Sequence, residues 1–200
     1  MTVEKKDIDW GSLGFGYMKT DYSYEAHWKD GEWDEGGLTT DHTLHVSECG
    51  GIFHYCQEVF EGLKAYRGPD GGVQLFRPME NVRRINSSCE RMCIPQLDEE
   101  TALSAIEQLV ELEADWVPSE PGTSLYIRPF IIATEPKLGV KSSDSYLYMV
   151  LLSPSGPYYP SGLDPVKIYV EQSYVRSVRG GTGMVKTGGN YAAALKAQDE

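Results

Sequence analysis

Alternating hydrophobic and polar positions predict strands along much of the chain. Aromatic and polar residues alternate over 14–28, which indicates one or two strands, and residues 63–76 indicate two strands joined by a Pro-Asp-Gly-Gly turn. Two longer runs rich in β-branched and aromatic residues follow at 124–134 and 145–153, and a third run lies at 166–175. These segments predict a sheet whose first strands pair by hairpins.

Apolar residues spaced by three and four positions predict helices between these strands. Residues 53–60 have helical spacing, and a longer helix is predicted to begin at Pro78 and to stop before Pro95. Asp98 is suited to cap the next helix, which Pro118 ends. The predicted buried stripe of that second helix consists of Leu103, Ile106, Leu109, Val110 and Leu112.

Helices among hairpin-paired strands predict an α+β fold class. The segment 153–164 holds three prolines and two glycines, a composition typical of a connection between domains. We therefore predict a small α+β domain over 1–153, an interdomain loop over 154–164 and the start of a second domain over 165–200, with a helix from near Asn190. A piece that short cannot bury its own core, so we expect either a fragment or completion by another chain.

Charge and composition exclude several classes of function. The chain has 18 Lys+Arg against 30 Asp+Glu, a net charge of −12, which disfavours nucleic-acid binding. No apolar run approaches the roughly 20 residues of a membrane span, and the N-terminus lacks an apolar signal core, so we expect a cytoplasmic protein without membrane association. The four cysteines form no CxxC pair, which predicts thiols and no metal site. They are Cys49, Cys56, Cys89 and Cys93.

The segment 176–198 is the most conspicuous candidate for chemistry. It places five glycines around Lys186, and glycine lets backbone approach a ligand closely. Two nucleotide motifs fail here, because Val185 stands where a Walker motif needs Gly and Lys186 stands where a dinucleotide fingerprint needs Gly. The segment is then either a flexible linker or the site of a lysine nucleophile that forms an imine with an aldehyde cofactor or a carbonyl substrate.

Five sequence blocks, in order, resemble those of the branched-chain amino-acid aminotransferases, which are fold-type IV pyridoxal-phosphate enzymes. The resemblance implies a two-domain fold-type IV architecture with the cofactor domain truncated in this chain. It also implies pyridoxal 5'-phosphate as cofactor, a homodimer, and reversible ping-pong transfer of amino groups between L-leucine, L-isoleucine or L-valine and 2-oxoglutarate, with glutamate in the same pocket. The blocks are 15–22, 53–85, 122–140, 153–160 and 178–198.

The resemblance implies roles for individual residues. Lys186 would hold the cofactor as a Schiff base and move the proton, while Tyr191 would bond its phenolic oxygen. Arg84 would bind the phosphate, for which a guanidinium fork is well suited, and Arg176 would lie beside the cofactor. The resemblance assigns the substrate pocket to the aromatic residues Phe15, Tyr55, Phe60 and Tyr126, to Arg128 near the carboxylate, to Tyr158 as a closing residue, and to Gly139 and Val140 as a loop that reaches the neighbouring subunit.

Other interpretations remain open. The same lysine would serve a D-amino-acid aminotransferase or an aminodeoxychorismate lyase, and a truncated non-catalytic paralogue would keep the fold alone. The aromatic residues could be core residues, Arg84 a surface charge and Arg128 a strand ion pair. In the family, the acidic partner of the pyridine nitrogen comes from beyond residue 200, so we expect the isolated 200 residues to be inactive.

Overall fold

One antiparallel sheet organises the part of the chain that the structure describes. This computed structural model describes residues 8–159, 162 and 164–200. The strands are β1 (Ser23–Lys29), β2 (Glu32–Trp33), β3 (Gly37–Thr39), β4 (Glu58–Phe60), β5 (Leu63–Arg67), β6 (Val73–Leu75), β7 (Ser124–Ala133) and β8 (Tyr146–Ser155). Their order in the sheet is β2-β1-β8-β7-β5-β6, with β3 paired to β1 and β4 paired to β7.

The two longest strands, β7 and β8, separate a hydrophobic face from a more polar one. Successive side chains of a strand point to opposite faces. On β7, Leu125, Ile127 and Ile131 enter the hydrophobic core, whereas Tyr126 and Arg128 between them do not. The sheet therefore directs functional side chains away from its core face.

Two helices supply the other layer of the core. Helix α2 (Pro78–Met92) ends at Cys93, which adopts a left-handed conformation with a φ of 55°, and α3 (Glu99–Leu112) begins after Asp98. The Asp98 carboxylate accepts the Thr101 N–H at 2.9 Å, which confirms the predicted cap. Shorter helices are α1 (Gly51–Tyr55), α4 (Gly188–Ala192) and α5 (Leu195–Asp199), with 3-10 turns at Trp10–Ser12 and Ala114–Trp116.

The α+β fold class and most elements of residues 63–153 are confirmed, and several local predictions are wrong or only partly right. No strand forms over 166–175, where Ile168 is 84% exposed, because an extended segment needs a neighbouring strand to pair with. Of the one or two strands predicted over 14–28, one forms, β1, and residues 14–22 form none. Residues 53–60 divide between α1 and β4. Leu112 lies at the end of α3 and is half exposed, so it is not part of the buried stripe.

The helix predicted from near Asn190 is two short helices, α4 and α5, separated at residues 193–194. Among the described residues, no helix has the length and apolar character that crossing a membrane requires. The proposed domain boundaries stay a prediction.

Candidate active site

Lys186 lies in the middle of an aromatic and cationic cluster. Its Nζ donates a hydrogen bond to the Tyr191 hydroxyl at 2.7 Å and lies 4.4 Å from the centre of the Phe60 ring. The Phe60 and Tyr191 rings contact each other with centroids 5.1 Å apart. The amine is therefore held over an aromatic ring, with its charge directed at a hydroxyl.

The backbone of Lys186 is fixed by two other parts of the chain. Its carbonyl accepts the N–H of Phe60 on β4 at 3.0 Å, and its own N–H donates to the Ser88 hydroxyl on α2 at 3.2 Å. The preceding residue, Val185, is buried in the core cluster. The lysine is thus held by the sheet and α2, which argues against the flexible linker considered for this segment.

Asn190 braces the glycine-rich segment from inside. This side chain is 2% exposed. Its Nδ2 donates to the carbonyls of Thr182 at 2.7 Å and Val185 at 2.8 Å, and its Oδ1 accepts the Thr182 hydroxyl at 2.9 Å. A single amide therefore satisfies three groups of a segment that has few backbone bonds of its own.

Glu58, on β4, contacts the two residues that follow Lys186. Its Oε1 accepts hydrogen bonds from the Gly188 N–H and, at 3.2 Å, from the Thr187 hydroxyl. Burial raises the pKa of the Glu58 carboxyl above its ordinary value, against the opposing effects of those hydrogen bonds and of the positive charges of Arg128 and Lys186. An acidic group thus lies behind the candidate reactive amine.

Arg84 is paired with a buried carboxylate. Its Nε and Nη2 donate to Glu61 at 2.5 and 2.7 Å, and Glu61, which is 1% exposed, also accepts the Asn81 amide at 2.9 Å. The hydrogen bond to Glu61 raises the pKa of the Arg84 guanidinium. The arginine is more than half exposed, so Glu61 orients it without covering it.

A pocket of about 200 Å³ lies on the polar face of the sheet. Phe15, Tyr126 and Arg128 line it together with Leu151 and the serines of β8. Arg128 donates to the Tyr126 hydroxyl at 2.8 Å and lies 4.7 Å from the centre of the Phe60 ring, which connects the pocket to the lysine. Phe15 also contacts Tyr158 edge to face, with centroids 5.7 Å apart.

Three other candidate residues lie outside this cluster. Tyr55 donates its hydroxyl to the Leu138 carbonyl, and Val140 on the same loop is 83% exposed. Arg176 is exposed and donates to the Gly183 carbonyl at 2.6 Å, so its contact is with the glycine-rich segment itself. The remaining candidate, Arg84, is near enough to Tyr191 for the tyrosine to contribute to the raised pKa of its guanidinium. Seven of the predicted residues are brought together in one cluster, namely Phe15, Phe60, Tyr126, Arg128, Tyr158, Lys186 and Tyr191.

Sequence reasoning missed Glu58, Glu61 and Asn190. Glu58 and Glu61 lie inside the block 53–85, but the partners Asn81, Arg84, Thr187 and Gly188 described above are 20 or more positions away, so no local pattern identifies the two carboxylates. Asn190 adjoins the glycines of the segment 176–198, where a small polar residue indicates only a turn or a helix start.

Comparison with curated proteins gives one group of relatives. No known protein-family profile matches the chain. The branched-chain-amino-acid transaminase 1 of Bacillus subtilis is 57% identical over 196 residues, which make up 97% of this chain and 55% of that protein. The branched-chain-amino-acid aminotransferase of Haemophilus influenzae is 46% identical over 191 residues, or 95% of this chain and 55% of that one. The chain thus spans about half the length of the curated relatives it matches.

Solved structures show the same fold. A branched-chain aminotransferase from Thermoproteus uzoniensis, solved with norvaline, matches with a TM-score of 0.66 at 22% identity, over 86% of this chain and 54% of that one. A second branched-chain amino acid aminotransferase, complexed with N-(5'-phosphopyridoxyl)-L-glutamate, matches with a TM-score of 0.59 at 23% identity, over 86% and 53% of the two chains.

Proposed function

Because the chain belongs to the branched-chain amino-acid aminotransferase family, we propose that the protein transfers amino groups reversibly between L-leucine, L-isoleucine or L-valine and 2-oxoglutarate. The observation that carries the proposal is the 2.7 Å hydrogen bond between the Lys186 amine and the Tyr191 hydroxyl, next to the pocket of Phe15, Tyr126 and Arg128. A primary amine beside a small, largely apolar pocket suits chemistry at the α-carbon of an apolar amino acid.

Pyridoxal 5'-phosphate fits the donor set of this site. Its aldehyde needs a primary amine, its phenolic oxygen needs a hydroxyl partner and its phosphate needs a guanidinium, which Lys186, Tyr191 and Arg84 offer in turn. Arg84 gives two of its nitrogens to Glu61 and keeps Nη1 for an anion. When bound, this cofactor supplies an electron sink that acidifies the α-carbon of the amino acid.

Individual residues of the chain would have separate roles around that carbon. Lys186 Nζ would hold the cofactor covalently and afterwards, as a free amine, carry the proton that leaves and returns. Arg128, aligned by the Tyr126 hydroxyl, would bind the α-carboxylate, and Phe15 and Leu151 would contact the branched side chain. Phe60 would exclude water from one side of Nζ, since its ring lies 4.4 Å away.

We further propose a cytoplasmic homodimer, on the strength of the family resemblance. Val140, exposed on its loop, would then meet the neighbouring subunit, with Tyr55 anchoring the loop through the Leu138 carbonyl. We also propose that activity requires more than these 200 residues, since the curated relatives are nearly twice as long. A D-amino-acid aminotransferase or an aminodeoxychorismate lyase would use the same lysine and remain the alternative activities.

Borohydride reduction tests the proposal directly. The natural protein, reduced in the presence of pyridoxal phosphate, should gain one adduct, and peptide mapping should locate it on Lys186. Lys186→Ala should lose the adduct, whereas Lys196→Ala, a lysine exposed on α5, should keep it. Amino-donor assays then decide the substrate, because turnover of D-alanine without L-leucine would refute the branched-chain assignment.

A further inference from the structure

Strand β4 contacts the segment that carries Lys186 through one carboxylate oxygen and one backbone N–H. Glu58 Oε1 accepts both the Thr187 hydroxyl and the Gly188 N–H, which belong to the two residues after the lysine. The Phe60 N–H on the same strand donates to the Lys186 carbonyl. Strand β4 therefore touches three consecutive residues of the segment, and Glu58 supplies the side-chain part of that contact.

Gly188 allows the Glu58 carboxylate to come close to the backbone. A Cβ at this position would lie 2.8 Å from Glu58 Oε1, closer than real Cβ contacts allow. The Gly188 N–H is also at the start of α4, where it has no partner within the helix and needs an external acceptor. This close contact therefore requires both the Glu58 carboxylate and the absence of a side chain at Gly188.

We propose that Glu58 is a positioning residue for the side chain of Lys186. By fixing Thr187 and Gly188, it sets the direction in which the lysine leaves the backbone, and so keeps Nζ over the Phe60 ring and within 2.7 Å of the Tyr191 hydroxyl. The inference rests on the proposed function, since it concerns how the amine is aimed at the cofactor. Glu58 itself touches neither substrate nor cofactor in this scheme.

The effect belongs to the acceptor oxygen and not to the negative charge. Both hydrogen bonds use the same oxygen, and a glutamine carries an equivalent amide oxygen at that position. Burial disfavours the charged form of Glu58, so a neutral acceptor removes a cost without removing the contact. Glu58→Gln should therefore preserve the alignment that Glu58→Ala destroys.

Hydrogen exchange of the cofactor-free natural protein is the first measurement. In Glu58→Ala, the amides of residues 186–190 should exchange about tenfold faster than in the wild type, because a hydrogen bond to a carboxylate is lost. Glu58→Gln should stay within about threefold of the wild type. Glu25→Ala, which removes a partly exposed glutamate from β1, is the matched control and should leave these amides unchanged.

Loading with pyridoxal phosphate is the second measurement. Glu58→Ala should bind it about tenfold more weakly and should alter the pH profile of its visible absorbance, while Glu58→Gln should restore affinity to near the wild type. Unchanged exchange in Glu58→Ala, or an equal defect in Glu58→Gln, would overturn the positioning role. Failure of the wild type to form an adduct on Lys186 would instead refute the proposed function, and the exchange result would still decide the inference.

Discussion

The Nζ of Lys186 and the hydroxyl of Tyr191 are joined by a hydrogen bond of 2.7 Å, although the two residues are five positions apart. One turn of α4 between them folds the chain back so that the tyrosine faces the lysine. The hydrogen bond therefore depends on where α4 begins, at Gly188. A change in the conformation of this segment would change the position of the Lys186 amine.

Removing the Tyr191 hydroxyl should slow the proposed reaction. Tyr191→Phe keeps the ring against Phe60 but deletes the oxygen that accepts the hydrogen bond of Lys186 Nζ at a partly exposed position. We expect kcat for leucine to fall about tenfold. Steady-state kinetics measure this, with Tyr169→Phe as the exposed control. An unchanged kcat would remove Tyr191 from the proposed site.

Removing the Glu61 carboxylate should affect both stability and cofactor affinity. Glu61→Ala leaves the Asn81 amide and the Arg84 guanidinium without their shared acceptor, at an expected cost of about 2 kcal/mol in the free energy of unfolding. Urea denaturation gives that value, and pyridoxal phosphate titration should show weaker binding because Arg84 loses its orientation. Arg83→Ala breaks only exposed ion pairs and should cost no more than about 0.5 kcal/mol. Equal effects of the two variants would contradict the orienting role of Glu61.

A methyl group at Gly62 should displace Tyr126. A Cβ there would collide with the Tyr126 hydroxyl, which is the group that accepts two hydrogen bonds from Arg128. Gly62→Ala should therefore raise KM for leucine more than it lowers kcat, by about the tenfold expected for one charged hydrogen bond. Tyr126→Phe should reproduce the effect without a clash. If KM is unchanged in both, Arg128 does not depend on Tyr126.

Alkaline pH should destabilise the fold. Burial raises the pKa of Cys89 from 9.0 to about 12, and the pKa of Tyr146 from 10.0 to about 12. Between about pH 9 and 12 the unfolded chain loses these protons while the folded chain keeps them, so the folded state binds more protons and stability falls as pH rises. The slope approaches about 1.4 kcal/mol per pH unit for each group.

The slope between about pH 8 and 9 isolates the cysteine. Over this range unfolded tyrosines, with a pKa of 10.0, remain largely protonated while an unfolded cysteine with a pKa of 9.0 already loses its proton, so Cys89→Ala should flatten the decline seen in urea denaturation. Cys56→Ala removes an exposed thiol and should leave the slope unchanged. A flat wild-type profile would contradict the burial effect at Cys89.

Much of residues 63–153 could be predicted because its information is local. The turn after Arg67, the proline at the start of α2 and the Asp98 cap each act within four residues. The segment 166–175 has the same apolar character as the strands that do form, yet a strand exists only where a neighbour pairs with it. Its pattern indicates a preference for strand structure, but no strand in the described part of the chain pairs with it.

The candidate site likewise contains some residues that the sequence predicts and others that only the fold reveals. Family blocks indicated Lys186, Tyr191 and Arg128 directly, and the sheet brings them together with Phe15 and Tyr126. The residues that position these side chains could not be predicted from the sequence. Glu58 reaches Gly188 across 130 positions of sequence, so only the folded chain reveals that a strand carboxylate and a distant glycine form one contact.

The two backbone bonds of Lys186 have a consequence for the order of events during synthesis. Its N–H reaches Ser88, which lies 98 positions earlier, and its carbonyl is bonded by Phe60. As a nascent chain leaves the ribosome, β4 and α2 have been made long before the lysine emerges, and loop-closure entropy opposes ordering the lysine until they are in place. Lys186 is therefore ordered late, on a surface of β4 and α2 that has already folded.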